Sequence, residues 1–209
     1  NLAGVRQVGE VFRAELDGLG FTTRWEDGAP YQPAGHLIAE RTGQGPRLLL
    51  IGHLDTVFEP DSPFQRFERL DSTHARGPGV TDMKSGLLTL LYGLEAALAA
   101  GPLPFERLTV IANPDEEIGS PSSTPHIERV ARACDVAFSL ECARANGDFV
   151  SARNIGPSSF CFPNLVTGGN HADLFGFPKA VRQNHSSANH LVRMLGIHTQ
   201  SHMNFNGLI

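Results

Sequence analysis

Leu48-Leu49-Leu50-Ile51-Gly52-His53-Leu54-Asp55-Thr56-Val57 is the stretch that decides the fold. An apolar run this short, closed by glycine, reads as a strand buried on both faces. Such strands belong to α/β sheets, which place ligands just beyond the carboxyl ends of their strands. His53 and Asp55 stand at that position. The pattern recurs twice: Leu108-Thr109-Val110-Ile111-Ala112-Asn113-Pro114 runs into Asp115-Glu116-Glu117, and Asp135-Val136-Ala137-Phe138-Ser139-Leu140 runs into Glu141. Three strands each ending in metal-ligating side-chain types point to one shared site.

Outward from these strands, Val5, Val8, Phe12, Leu16 and Leu19 mark one face of a helix over 2–19. Strands are expected at 21–25, 36–41 and 47–52. An irregular stretch follows from Phe58 to Thr81, pinned by Phe64, Phe67 and Leu70. Leu87, Leu90, Leu91, Leu94 and Leu98 give a helix over 87–99, stopped by Gly101. A second helix is expected over 124–133. Strands alternating with helices define an α/β fold. Past Glu141 the texture changes, with strands at 149–153 and 158–166, a helix at 178–195 and a strand at 203–209. A domain boundary is placed at 153–157, dividing a catalytic unit, 1–153, from a smaller one, 154–209.

The 209 residues suffice for one core plus an appendage, and the formal charge of −5 disfavours nucleic acid as a partner. No stretch is long and apolar enough for a membrane span. Cys134, Cys142 and Cys161 form no CxxC pair, and their odd number favours a reducing, cytoplasmic location. Cys142 reads as a small buried residue. A serine hydrolase is disfavoured because no G-x-S-x-G elbow occurs.

His53, Asp82, Glu117 and Glu141 are the candidate ligands, a mixed imidazole and carboxylate set suited to zinc or another divalent metal. Asp55, two residues after His53, can accept a hydrogen bond from the imidazole's second nitrogen. Asp82 can bridge two metals with its two oxygens. In an extended segment the adjacent Glu116 and Glu117 point to opposite sides, so one can bind metal while the other acts as general base. Taken alone, His53 and Asp55 would read as a buried structural pair. With Asp82, Glu117 and Glu141 in register, the metal reading prevails. His36, His74 and His126 read as surface residues.

Gly52-His53-Leu54-Asp55-Thr56-Val57, Gly79-Val80-Thr81-Asp82-Met83-Lys84-Ser85-Gly86, Asp115-Glu116-Glu117-Ile118-Gly119-Ser120 and Ser139-Leu140-Glu141 resemble, in order, the signatures of the M20 metallopeptidases. The resemblance implies a zinc-exopeptidase-like catalytic domain with a mixed, mostly parallel sheet flanked by helices, plus a partial α/β lid. It implies two zinc ions: His53 and Glu141 on one, Asp82 bridging, Glu117 on the other. Glu116 is then the general base for a metal-bound water, Asp55 the partner of His53, and the Asp82-Met83 peptide cis. The implied substrates are small peptides or N-acyl amino acids, and the implied assembly is a homodimer through the lid. Val166-Thr167-Gly168-Gly169-Asn170-His171-Ala172 resembles the lid segment, making His171 a substrate-binding histidine.

By the same resemblance Ile209 falls inside the lid, ahead of a return that supplies a final histidine ligand. His185, His190, His198 and His202 are not assigned to that role. The expectation is a second metal with only two ligands, and an isolated chain that self-associates, is marginally stable and turns over little. The alternative reading is a catalytically impaired metal-binding fragment or an interaction module.

Overall fold

In a computed structural model of the protein, residues 2–27 and 34–141 are described, with the backbone of 165–166. The chain opens with α1 (Leu2–Gly18), then β1 (Thr22–Glu26), β2 (His36–Thr42) and β3 (Arg47–His53). After a two-residue-wide hairpin, β4 (Glu68–Arg69) with β5 (Ala75–Arg76), one wide turn at Val80–Lys84 leads into α2 (Ser85–Ala100). Next come β6 (Arg107–Asn113), a single 3-10 turn (Glu116–Ile118), α3 (Thr124–Ala131), β7 (Val136–Ser139) and β8 (Leu165–Val166).

The main sheet runs β1-β2-β6-β3-β7-β8. β1, β2 and β6 pair antiparallel, whereas β3 pairs parallel with both β6 and β7, and β7 with β8. The three strands that end in candidate ligands are therefore neighbours pointing the same way. Side-chain alternation explains why β3 is apolar throughout. Leu48 and Leu50 enter the core under α1 and α2, with Phe12, Leu16, Leu87 and Leu94. Leu49 and Ile51 enter the opposite core with Ile111, Ile127 and Ala137. A strand covered by helices on both faces leaves no position for a polar side chain until it ends.

The structure corrects two readings of the sequence. Phe67 and Leu70 do not pin the 58–81 stretch: they are 54% and 53% exposed. Backbone pairing in the β4–β5 hairpin and the Phe58–Phe64 ring pair, centroids 4.9 Å apart, do that instead. His36 is not a surface residue. It is fully buried, because the strand it opens is a sheet interior strand flanked by β1 and β6. His126 is partly buried and only His74 is well exposed. The proposed boundary at 153–157, the small unit, His171 and the later histidines, Cys142 and Cys161 lie outside the described side chains. Among the described residues, no helix is long and apolar enough to cross a membrane.

Gly86, near the start of α2, packs directly against the carbonyl of Leu140; a Cβ there would overlap that oxygen. Alanine would gain about 1 kcal/mol of helix propensity. Overpacking costs about 1–3 kcal/mol, and a backbone carbonyl yields less readily than a side chain. Gly86→Ala is therefore expected to lower Tm by several degrees in thermal unfolding and to displace Leu140, the neighbour of Glu141. An unchanged or raised Tm would show that the contact is not tight.

Candidate metal centre

β3 delivers His53 with its side chain fully buried. Nδ1 lies 3.2 Å from Asp55 Oδ1. The Asp55 carboxylate also accepts the backbone N–H of Glu116 (3.2 Å) and of Glu117 (3.0 Å). One side chain thus orients the imidazole and anchors the neighbouring strand's terminal turn. Burial pushes the Asp55 carboxyl up, but the hydrogen bonds from His53 and from the Glu117 N–H hold it below the usual carboxylate range.

With Nδ1 turned to Asp55, Nε2 faces the opposite way. It lies 3.0 Å from Asp82 Oδ1, 3.7 Å from Glu141 Oε1 and 3.9 Å from Glu116 Oε2. The 80–84 turn is interrupted at Asp82, whose φ and ψ are −115° and 99°; the Asp82-Met83 peptide is cis. Met83 is buried, and its Sδ accepts the His53 N–H at 3.1 Å. The loop and the strand are thereby tied at the residue that carries the imidazole.

Ligand atoms of His53, Asp82 and Glu141 all lie within 4.8 Å of one another. The electrostatics show what such a cluster demands. Burial lowers the His53 pKa, but the hydrogen bond to Asp55, the charge of Glu141 and the hydrogen bond to Asp82 outweigh it and carry it to about 9. Burial, with Glu116 and Asp82 nearby, pushes Glu141 up to about 7 against the pull of His53. Crowded carboxylates around a buried imidazole form a mixed nitrogen and oxygen donor set that a divalent ion fits.

Glu116 and Glu117 do not lie in an extended segment, as the sequence reading had it. They form the first turn of a 3-10 helix. Their side chains still diverge. Glu116 approaches His53, while Glu117 lines, with Asp82, a cavity of about 360 Å³ walled by Phe58, Phe64 and Val80. Burial and the charge of Asp82 raise the Glu117 pKa. Glu117 is not among the three clustered candidate ligands; it lines the cavity wall together with Asp82. Lys84, burial-lowered but favoured by Asp55 and Glu117, is a cation beside these acids that sequence reasoning did not single out. Asp115, given no role in the sequence analysis, stands beside Glu116 and is 3% exposed. Its signal was present: an acid directly after a buried strand, followed by Ser120, Ser122 and Ser123.

Fold and cluster together define a class, an α/β protein with a carboxylate and imidazole centre at the ends of parallel strands, as in metal-dependent hydrolases. Residues 49–186 match the family described as Peptidase family M20/M25/M40, and the chain belongs to it. Carboxypeptidase G2 of Pseudomonas sp. (strain RS-16) is 30% identical over 167 residues, covering 79% of this chain and 40% of that protein. Succinyl-diaminopimelate desuccinylase of Leptothrix cholodnii is 29% identical over 198 residues, covering 88% and 47%. The chain thus spans less than half the length of these relatives. In fold it is similar to the M20 family metallo-carboxypeptidase Sso-CP2 of Sulfolobus solfataricus, with a TM-score of 0.57, 18% identity and coverage of 70% and 35%. Human carnosine dipeptidase 1 gives a TM-score of 0.55 at 21% identity, covering 65% and 32%.

Proposed function

We propose that the chain carries the catalytic centre of a metal-dependent hydrolase that cleaves amide bonds in peptides or N-acyl amino acids. The convergence of His53, Asp82 and Glu141, with Glu116 beside them, is the observation that carries this reading. A carboxypeptidase and a desuccinylase among the relatives support the substrate class. His53, Asp82 and Glu141 would hold one zinc ion, and Asp82 with Glu117 a second. Zinc suits ligands of mixed nitrogen and oxygen type, and when bound it supplies Lewis acidity to water and to the scissile carbonyl.

The chain's own residues then have separable tasks. Asp55 holds the Nδ1 proton of His53 and so keeps Nε2 available as a ligand. Glu116 takes the proton of the attacking water as the C–O bond forms, and returns it to the amine nitrogen as the C–N bond breaks. His171 in the lid would contact the substrate, and the whole protein would pair as a homodimer through that lid.

Elemental analysis of the dialysed chain tests the centre: bound zinc is expected in wild type and not in His53→Ala. Equal zinc in both would sink the assignment. The sign of the pH dependence follows from the imidazole proton. Zinc must displace it from His53, whose pKa is about 9, so affinity is expected to rise as pH rises from 6 toward 9. Titration with a chromophoric chelator as competitor measures this, and a flat profile would show that zinc does not take the imidazole.

A further inference from the structure

A second buried polar cluster lies behind the Glu116–Ile118 turn. The Asp115 carboxylate accepts Ser122 N–H at 2.7 Å and Ser122 O–H at 2.6 Å on Oδ2, and Ser123 O–H on Oδ1. Its carbonyl accepts Ser120 N–H at 2.7 Å. The chain from 115 to 123 is thereby closed around Asp115, with Gly119 and Ser120 both at positive φ, 90° and 57°. Across the gap to β2, Ser123 Oγ lies 3.2 Å from His36 Nδ1. Ser123 and His36 are each fully buried.

Proton counting sets the direction of this chain of bonds. A hydroxyl has one proton, and Ser123 donates it to Asp115. Its oxygen can then only accept from His36, so Nδ1 of His36 carries a proton. Burial, with His126 nearby, lowers the His36 pKa, consistent with a neutral ring. The His126 ring packs on it with centroids 4.6 Å apart, fixing its plane.

Asp55 anchors the turn from the metal side through the N–H groups of Glu116 and Glu117. We propose that His36 and Ser123 are positioning residues, which anchor the same turn from behind through Asp115 and so set where the Glu116 and Glu117 carboxylates stand. Neither touches a ligand. Both act through the backbone that Asp115 shares with the two glutamates. The inference rests on the proposed metal centre where zinc affinity is its readout.

The test pairs disruptive with conservative variants in the full chain. Ser123→Ala and His36→Leu are expected to lower zinc affinity by about 10–100-fold, the scale for residues that orient ligands. Ser123→Thr keeps the hydroxyl, and His36→Asn places an amide N–H near Nδ1; both should stay within about threefold of wild type. Thermal stability lost with zinc affinity unchanged would mark a purely structural network and overturn the proposal. So would conservative variants that fall as far as the disruptive ones. If His36→Leu does not fold, Ser123→Ala, which deletes one oxygen, carries the test. A wild-type chain that takes up no zinc overturns the metal reading instead. The positioning role is then decided by amide exchange over 115–123, expected to be about three- to tenfold faster in Ser123→Ala, the scale of one buried hydrogen bond. Unchanged exchange overturns it.

Discussion

If the chain turns over N-acyl amino acids, as proposed for the family's catalytic centre, Glu116→Gln is expected to reduce that turnover by about 10²–10⁴-fold, the usual scale for a positioned general base. The amide keeps the size of the side chain but cannot take a proton from water. Zinc content should hardly change, because Glu116 stands 3.9 Å from His53 Nε2 and is not one of the three clustered ligands. Glu117→Gln should behave in the opposite way. It lines the same cavity as Asp82, and in the proposed centre the two would hold the second metal, so zinc should be lost before any other property changes. Paired zinc and turnover measurements on both variants separate the roles. If the two phenotypes were exchanged, base and ligand would have to be reassigned.

Asp55→Ala should have the second largest effect, because one carboxylate serves three donors. Its removal frees the His53 Nδ1 proton and leaves the N–H groups of Glu116 and Glu117 without their acceptor. Each unsatisfied buried donor costs about 1–3 kcal/mol, reduced where water can reach it. An exposed Glu116 limits that cost, so a total near 2–4 kcal/mol is expected in denaturant unfolding. Loss of the imidazole's orientation should also weaken zinc by about 10–100-fold. Asp55→Asn keeps an acceptor oxygen and should recover part of the stability but less of the affinity, since the charge is gone. Equal stability in wild type and Asp55→Ala would mean that the turn is held without Asp55.

The sheet and the clustering of His53, Asp82 and Glu141 were legible because both are written in local patterns. Leu48 to Ile51 had to be buried on both faces, and the side chains that follow had to emerge at a strand end, whatever their neighbours were. Periodicity in the same way marked α2, whose Leu87, Leu90 and Leu94 are buried. The order of the motifs carried the family, since His53, Asp82, the acidic pair and Glu141 recur as a spaced set.

What the local pattern could not carry was decided by contacts across the sheet. His36 opens a strand whose position between β1 and β6 is a matter of topology, and that position buries it. Asp115 looks like one more acid in an acidic run, but the chain folds back and turns it inward onto Ser122 and Ser123. The Glu116–Glu117 pair forms a helical turn because Asp55, some sixty residues earlier in the chain, accepts both N–H groups. Phe67 and Leu70 are apolar and yet exposed, since a two-residue hairpin offers no core to enter. By itself the sequence determined the parallel strands and the ligand types at their ends, because burial on two faces and side-chain chemistry are properties of each stretch alone. Only the tertiary structure decided which acids are buried, which hydrogen bonds they accept and which way the glutamates face, because those depend on groups far apart in the chain.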